Sequence, residues 1–282
     1  MNKWIVGARV KTLPAAVSPV IIGTSFANDI DWFKALLALI VSCALQVGVN
    51  YANDYSDGIR GTDSNRIGPT RLVASGLAAA SAVKNAAIIS FVIAAIAGSI
   101  LSMLSNRWLI VIGAISILAA WGYTGGKKPY GYLGFGELAV FVFFGLVATI
   151  GSYFVQSATI NWQIFLLSIP VGCLSCSILV LNNLRDLPKD KMVNKNTLAV
   201  FLGDKNTRMF YVILLAISQV LLVVSSIIDI KLLATLVCIP ITFNLSKRIL
   251  SEVIGVELVS VLARTASLQL LLSTITAGAL FI

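Results

Sequence analysis

Long apolar runs separated by short polar segments set the pattern of this chain. A spanning helix needs about 20 mostly apolar residues. On that ruler nine spans are predicted, at residues 13–28, 33–54, 82–104, 107–124, 136–157, 163–184, 208–228, 231–247 and 258–281, the segment at 231–247 being short. Lys3, Arg9 and Lys11 precede the first run, which leads into Pro14 and Pro19 with no small-residue cleavage site, so it reads as a retained helix and not a signal peptide. The fold class is all-α membrane protein, with residues 1–282 as one integral-membrane domain.

An odd number of spans puts the termini on opposite sides, and the basic residues choose between the two orientations. With the N-terminus in the cytoplasm, only Lys34, Arg107 and Lys231 of the 21 lysines and arginines fall outside. The net charge of +9 is therefore first a topology signal, and no basic-aromatic pattern points to nucleic acid. The polar connections 55–81, 125–135 and 185–207 then lie on the cytoplasmic side. Long connections of this kind tend to carry function.

Composition narrows the chemistry. The chain is 58% hydrophobic and 12% charged, with a mean hydropathy of +0.92, which excludes an ordinary soluble domain. It has no histidine, so histidine-ligated zinc or haem and His-dependent triads are excluded. Cys173 and Cys176 form a lone C-x-x-C within an apolar run and read as small buried hydrophobes. Gly134, Gly136 and Ala139 fit a loose dinucleotide fingerprint, but no strand precedes them.

The informative polar stretch runs from Asn50 to Asp63. Gln46, Asn50, Asn53/Asp54 and Asp57 recur every three to four positions, so a continuing helix would turn their oxygens to one side. Such hard donors suit Mg²⁺. Gly58, Gly61, Gly68 and Pro69 are expected to break the helix beyond them, and Arg60, Arg66 and Arg71 supply cations for a polyanion. Residues 181–190 repeat the arrangement with Asn182, Asn183, Asp186 and Asp190, followed by Lys191, Lys195 and Thr197. Pro188 predicts a helix end near Leu184 or the start of a short new helix. The interval from Asp54 to Asp186 matches that from Asp57 to Asp190 within one residue, as in a duplicated unit. Two facing acid clusters would hold Mg²⁺ bridged to a diphosphate, and apolar helices behind them imply a polyisoprenyl diphosphate.

These motifs resemble those of the UbiA superfamily of intramembrane aromatic prenyltransferases. Asn50-x-x-x-Asp54-x-x-Asp57 resembles its first aspartate motif, Asp186-x-x-x-Asp190 its second, and Tyr123-x-x-x-Lys127 its Tyr/Lys motif. Four stretches, beginning at Ala8, Asn53, Arg66 and Asn182, are most similar to the dihydroxynaphthoate polyprenyltransferase branch of menaquinone biosynthesis, as is the loop from Lys128 to Glu137. Val10 stands where that branch often has Pro, and Asn194 where it often has Gly.

The resemblance implies a nine-helix UbiA-type bundle with polar cytoplasmic loops capping a central cavity. It implies a Mg²⁺-dependent transferase that joins a polyprenyl group to 1,4-dihydroxy-2-naphthoate, with loss of CO₂ and diphosphate, to give demethylmenaquinone. The metal set would be Asn50, Asn53, Asp54, Asp57, Asp186 and Asp190. Lys195, Arg60, Arg66, Arg71 and Asn182 would bind the diphosphate, and Lys127, Tyr123 and Arg9 would be catalytic. The partners are the two substrates and the lipid bilayer, with no obligate protein partner. Another aromatic acceptor is the alternative within the superfamily. A secondary transporter is the alternative outside it, and that reading would place the acids near the bilayer midplane.

Lys127 belongs to neither half of the aspartate repeat, and its charge is assigned to the breaking carbon–oxygen bond. Lys127→Ala is expected to lower kcat and kcat/KM together with little change in KM for the prenyl diphosphate, while the neighbouring Lys128→Ala stays close to wild type. Like behaviour of the two variants in steady-state kinetics would remove the leaving-group role.

Overall fold

The computed structural model describes residues 2–61, 68–126 and 128–281, and the regular elements among them are all helical. Asp63, Arg66 and Lys127 lie outside the described residues. A short α1 (Lys3–Ala8) and α2 (Pro14–Ser25) are joined by a 3₁₀ turn and bent by 51°. They are followed by α3 (Trp32–Arg60), α4 (Ala80–Leu104), α5 (Leu109–Gly122), α6 (Gly136–Ser157), α7 (Trp162–Met192), α8 (Leu198–Val224), α9 (Ile230–Leu250) and α10 (Val256–Phe281).

Each of the nine predicted spans falls on a helix, and most of these helices are long and apolar enough to cross a membrane. Among the described residues seven helices are long and apolar enough to cross a membrane, or eight if the bent pair is one span. The predicted span 107–124 is a helix of 14 residues, roughly 21 Å at 1.5 Å per residue, short of the ~30 Å hydrocarbon layer. Apolar composition marked it, but Asn106 and the turn at Thr124 clip both ends.

Two helix-end expectations are corrected. α7 passes through Pro188 to Met192, because Leu184 is buried, Leu187 packs on the core shared with α8, and the Asp190 carbonyl accepts from Lys195 N (2.9 Å). These contacts offset a proline cost of about 3 kcal/mol. α3 likewise passes through Gly58 and ends at Gly61, a C-cap with φ 70°. A Cβ at Gly58 would lie 2.5 Å from Val73, so this glycine permits close approach instead of breaking the helix.

Polar side chains cap the starts of several helices. Asp31 caps α3 by accepting from Phe33 N and Lys34 N, and Asn161 caps α7 through Ile164 N. The exposed Trp32, Trp108 and Trp162 lie at the starts of α3, α5 and α7, as aromatic side chains do at a membrane interface. Asp57 and Asp186 lie toward the opposite ends of α3 and α7.

Packing follows membrane rules. On α4 the large side chains Ile89, Val92, Ile93 and Ile96 face outward, and Ala87, Ala94 and Ala97 face inward. α7 is the most buried of the long helices, and its Cys173 and Cys176 are free buried thiols, as their apolar context predicted. Gly145, in a π-helical stretch of α6, meets Gly172 of α7 so closely that a Cβ on Gly145 would lie 2.6 Å from the Gly172 Cα. At Gly23 of α2 a Cβ would lie 2.3 Å from the Thr149 carbonyl oxygen of α6.

Gly23→Ala therefore forces backbones apart and is expected to cost about 1–3 kcal/mol, lowering the thermal unfolding midpoint of the detergent-solubilised protein by several degrees. Gly278→Ala, whose Cβ would meet nothing within 4 Å, is the control. Equal midpoints for the two variants would contradict close packing of α2 on α6.

Candidate active site

A cavity of about 970 Å³ runs through the bundle. Most of its wall is apolar, including Val20, Leu45, Leu101, Phe144, Val147 and Leu262, and its charged residues gather where α3 and α7 end. The α3 stripe turns Gln46, Asn50, Asn53 and Asp57 into the cavity, and α7 turns in Asn182, Asn183, Arg185 and Asp186. The helical spacing read from the sequence thus brings the two polar repeats to one end of one chamber.

Asp54 faces away from this stripe. Its carboxylate accepts from Leu72 N (2.8 Å) and Val73 N (3.1 Å), and the side chain is fully buried. By holding that turn, Asp54 sets the backbone next to Arg71, whose guanidinium lies 3.6 Å from Asp57. Asn50 donates to the Ala8 carbonyl (2.9 Å) and to Thr12 Oγ1 (3.3 Å), tying the α1–α2 bend to α3. That bend places Arg9, in the left-handed conformation at φ 53°, and Thr12 on the cavity wall.

On α7, Arg185 donates to both carboxylate oxygens of Asp186, at 2.8 and 2.9 Å. Asp190 follows one turn later and is buried. Lys195 joins the two halves, its Nζ lying 3.9 Å from Asp57 and 3.8 Å from Asp190. The turn that carries it includes Asn194 at φ 54°. Asparagine is among the few non-glycine residues that adopt this conformation readily, which accounts for Asn194 where the similar branch often has Gly.

The connection between α5 and α6 covers the charged end. Tyr132 donates its hydroxyl to Asp57 Oδ1, and its ring centroid lies 4.7 Å from Lys195 Nζ and 5.2 Å from the Arg60 guanidinium carbon. Arg60, expected at the diphosphate, does not line the cavity. It donates instead to the carbonyls of Thr124 (2.7 Å) and Gly126 (2.6 Å), anchoring the segment that leads to Lys127. Tyr123 lines the cavity, its ring packed edge-on to that of Tyr130. Burial pushes the Tyr130 phenol up to about 12, and its hydroxyl donates to the Ala119 carbonyl (2.8 Å). Tyr130 therefore remains a neutral donor at physiological pH.

Among the described residues no group of three or more Asp, Glu, Cys or His side chains converges closely enough to hold an ion by itself. The donors of the charged end are nevertheless hard. Asp57 and Asp186 approach from different helices, and Asn53 Oδ1 is buried without a hydrogen-bond partner among the described residues. The same holds for the hydroxyls of Thr124 and Thr197, which are also on the wall. This set fits a magnesium ion that shares its coordination with a polyanion, because Mg²⁺ commonly takes one or two carboxylates plus substrate phosphate oxygens and water.

Three contributors lacked a clear sequence signal: the Tyr132 contact with Asp57, the Glu137 carboxylate that accepts from Asn183 Nδ2 (2.8 Å), and the Ala8–Thr12 cradle around Asn50. Each joins positions distant in sequence. One cue was available, since Glu137 is an acid at the start of an apolar run.

An apolar intramembrane chamber with paired carboxylates and cations at one end defines a class that handles amphipathic anions. The chain belongs to the UbiA prenyltransferase family, whose model matches residues 16–252. It is 50% identical to the 1,4-dihydroxy-2-naphthoate octaprenyltransferase of Mycobacterium tuberculosis, covering 99% of this chain and 96% of that protein. It is 35% identical to the protein of the same name from Escherichia coli, over 95% and 91% of the two chains. The solved structure of a UbiA homolog from Archaeoglobus fulgidus bound to DMAPP and Mg²⁺ has the same fold, with a TM-score of 0.71 at 13% identity over 98% of this chain and 99% of that one. The membrane-protein and family readings of the sequence therefore stand.

Asp54→Asn keeps the side-chain shape but leaves one backbone N–H of the 72–73 turn without an acceptor, at a cost of about 1–3 kcal/mol. Trypsin cleavage after the buried Arg71 is expected to become roughly tenfold faster in the folded protein. Unchanged cleavage at that site would overturn the anchoring role of Asp54.

Proposed function

We propose that this protein transfers a polyprenyl group from polyprenyl diphosphate to 1,4-dihydroxy-2-naphthoate, releasing diphosphate and CO₂ and forming demethylmenaquinol, the reduced form of demethylmenaquinone. The observation that carries the reading is the division of one cavity into a long apolar chamber and a charged end, matching a substrate with an apolar tail and a diphosphate head. Relatives named for this activity cover nearly the whole chain at 50% and 35% identity, which favours dihydroxynaphthoate over other aromatic acceptors. The charged residues lie toward helix ends, which disfavours a transporter with a midplane site.

Asp57, Asp186, Asn53 and Asn50 would hold Mg²⁺, with Asp190 one turn behind. When bound, the ion would neutralise the diphosphate and stabilise it as a leaving group. Arg71, Lys195 and Arg9 line the same cavity from three segments, and Asn182, Thr124 and Thr197 offer neutral donors. Arg66 as a diphosphate-binding residue and Lys127 as a catalytic one are proposed from their sequence motifs alone. Heterolysis of the allylic carbon–oxygen bond leaves its electron pair on the diphosphate. The carboxylate-bearing ring carbon of the acceptor then bonds to the allylic carbon, and the carbon–carboxylate bond breaks to release CO₂ and return its electron pair to the ring. The apolar wall excludes water from the cation, and Tyr123 presents an aromatic ring to the chamber.

The basic-residue distribution supports a cytoplasmic N-terminus and a cytoplasmic active site in a bacterial inner membrane, and the shared cavity supports one catalytic domain over residues 1–282.

Purified protein supplied with polyprenyl diphosphate and a panel of aromatic acids is expected to consume dihydroxynaphthoate preferentially, with equimolar release of CO₂. EDTA should stop turnover and Mg²⁺ restore it. Asp186→Ala should reduce kcat on the order of 10²-fold or more while leaving membrane insertion intact. Turnover after exhaustive chelation would exclude metal-assisted ionisation, and preference for hydroxybenzoate would reassign the acceptor.

A further inference from the structure

We infer that Tyr132 is a positioning residue for the metal–diphosphate centre, orienting Asp57 through its hydroxyl and Lys195 through its ring. The inference rests on the metal-assisted reading above and assigns a role to a side chain outside both aspartate motifs.

The geometry is specific. Asp57 has two carboxylate oxygens with different surroundings. Oδ1 accepts from the Tyr132 hydroxyl, whereas Oδ2 is the oxygen within 3.6 Å of Arg71 and 3.9 Å of Lys195. The phenol thus fixes the carboxylate rotamer and directs Oδ2 toward the cations, on the side where Asp190 also meets Lys195 at 3.8 Å. A protonated donor on one oxygen of a ligating carboxylate is the usual outer-shell arrangement, and losing such a partner typically costs about 10–100-fold in metal affinity or activity.

The ring has a separate role. With Lys195 at 4.7 Å and Arg60 at 5.2 Å from its centroid, it is already engaged by two cations and is not free to shield an allylic cation. Tyr132 is also fixed at its backbone. Its carbonyl accepts from Asn196 N (3.1 Å), and the preceding Gly131 N donates to the Tyr123 carbonyl (3.0 Å). The residue therefore couples the α5–α6 connection to the turn bearing Lys195, and couples both to α3. Arg60 contacts the same ring while holding the carbonyls of Thr124 and Gly126, so the segment from Tyr123 to Gly126 is tied to the same point.

Tyr132→Phe removes the hydroxyl and keeps the ring, whereas Tyr132→Leu removes both. Mn²⁺ binding is read by electron paramagnetic resonance in the presence of a non-hydrolysable prenyl thiolodiphosphate. Affinity for the thiolodiphosphate is then measured at saturating Mn²⁺. Tyr132→Phe is expected to weaken Mn²⁺ binding by about 10–100-fold with near-wild-type thiolodiphosphate affinity at saturating metal. Tyr132→Leu is expected to weaken both. A Tyr132→Phe protein that binds Mn²⁺ within about twofold of wild type, well inside the loss expected for an outer-shell partner, overturns the orienting role of the hydroxyl. Tyr132→Leu with unaltered thiolodiphosphate affinity overturns the role of the ring. Absence of Mn²⁺ binding by the wild type would overturn the metal reading itself and this inference with it. Should Tyr132→Phe fail to fold, Tyr132→Leu and Tyr130→Phe decide the matter. Tyr130→Phe removes a neighbouring hydroxyl that donates to the Ala119 carbonyl and not to Asp57, so it should keep wild-type Mn²⁺ affinity, and a loss equal to that of Tyr132→Leu refutes the assignment to Tyr132.

Discussion

Carboxylates placed at the end of an apolar chamber must be matched by cations or N–H donors, and this requirement organises the molecule. An uncompensated charge next to hydrocarbon is expensive. Asp57 meets Arg71, Lys195 and Tyr132; Asp186 meets Arg185; Asp190 meets Lys195; and Asp54 meets two backbone amides. Most of these partners come from the connections after α3, before α6 and after α7. The polar connections are therefore part of the charged end, and their order depends on the acids they neutralise.

The same compensation suits an anionic substrate. Side chains that balance one another in the protein alone also provide, in the proposed function, oxygen donors for an ion and cations for a diphosphate. Lys195 illustrates the dual use, since one ammonium lies close to acids from both repeats. Because several donors already face the chamber on rigid helix ends, little reorganisation is needed as charge develops on a leaving group. The apolar remainder of the chamber keeps the dielectric low and strengthens these interactions.

Helix type, approximate placement and the common stripe of Asn50, Asn53 and Asp57 were legible because apolar length and a three-to-four-residue spacing are local properties. Local cues misjudged the helix ends. Pro188 and Gly58 both read as breakers, yet packing of Leu187 and the close approach of Val73 carry the helices through them. Hydropathy also overstated the length of α5, because Trp108 and Tyr123 extend the apolar run beyond the helix itself.

Composition and short-range spacing were enough to specify a helical membrane protein with two polar repeats and, through its motifs, the family, since neither depends on how the helices pack. Which oxygens face the chamber is a different matter, settled by contacts between segments far apart in the chain. Asn53 and Asp54 differ by one step of about 100° around a helix, and it is the turn at Leu72 and Val73 that claims Asp54 and leaves Asn53 to the cavity.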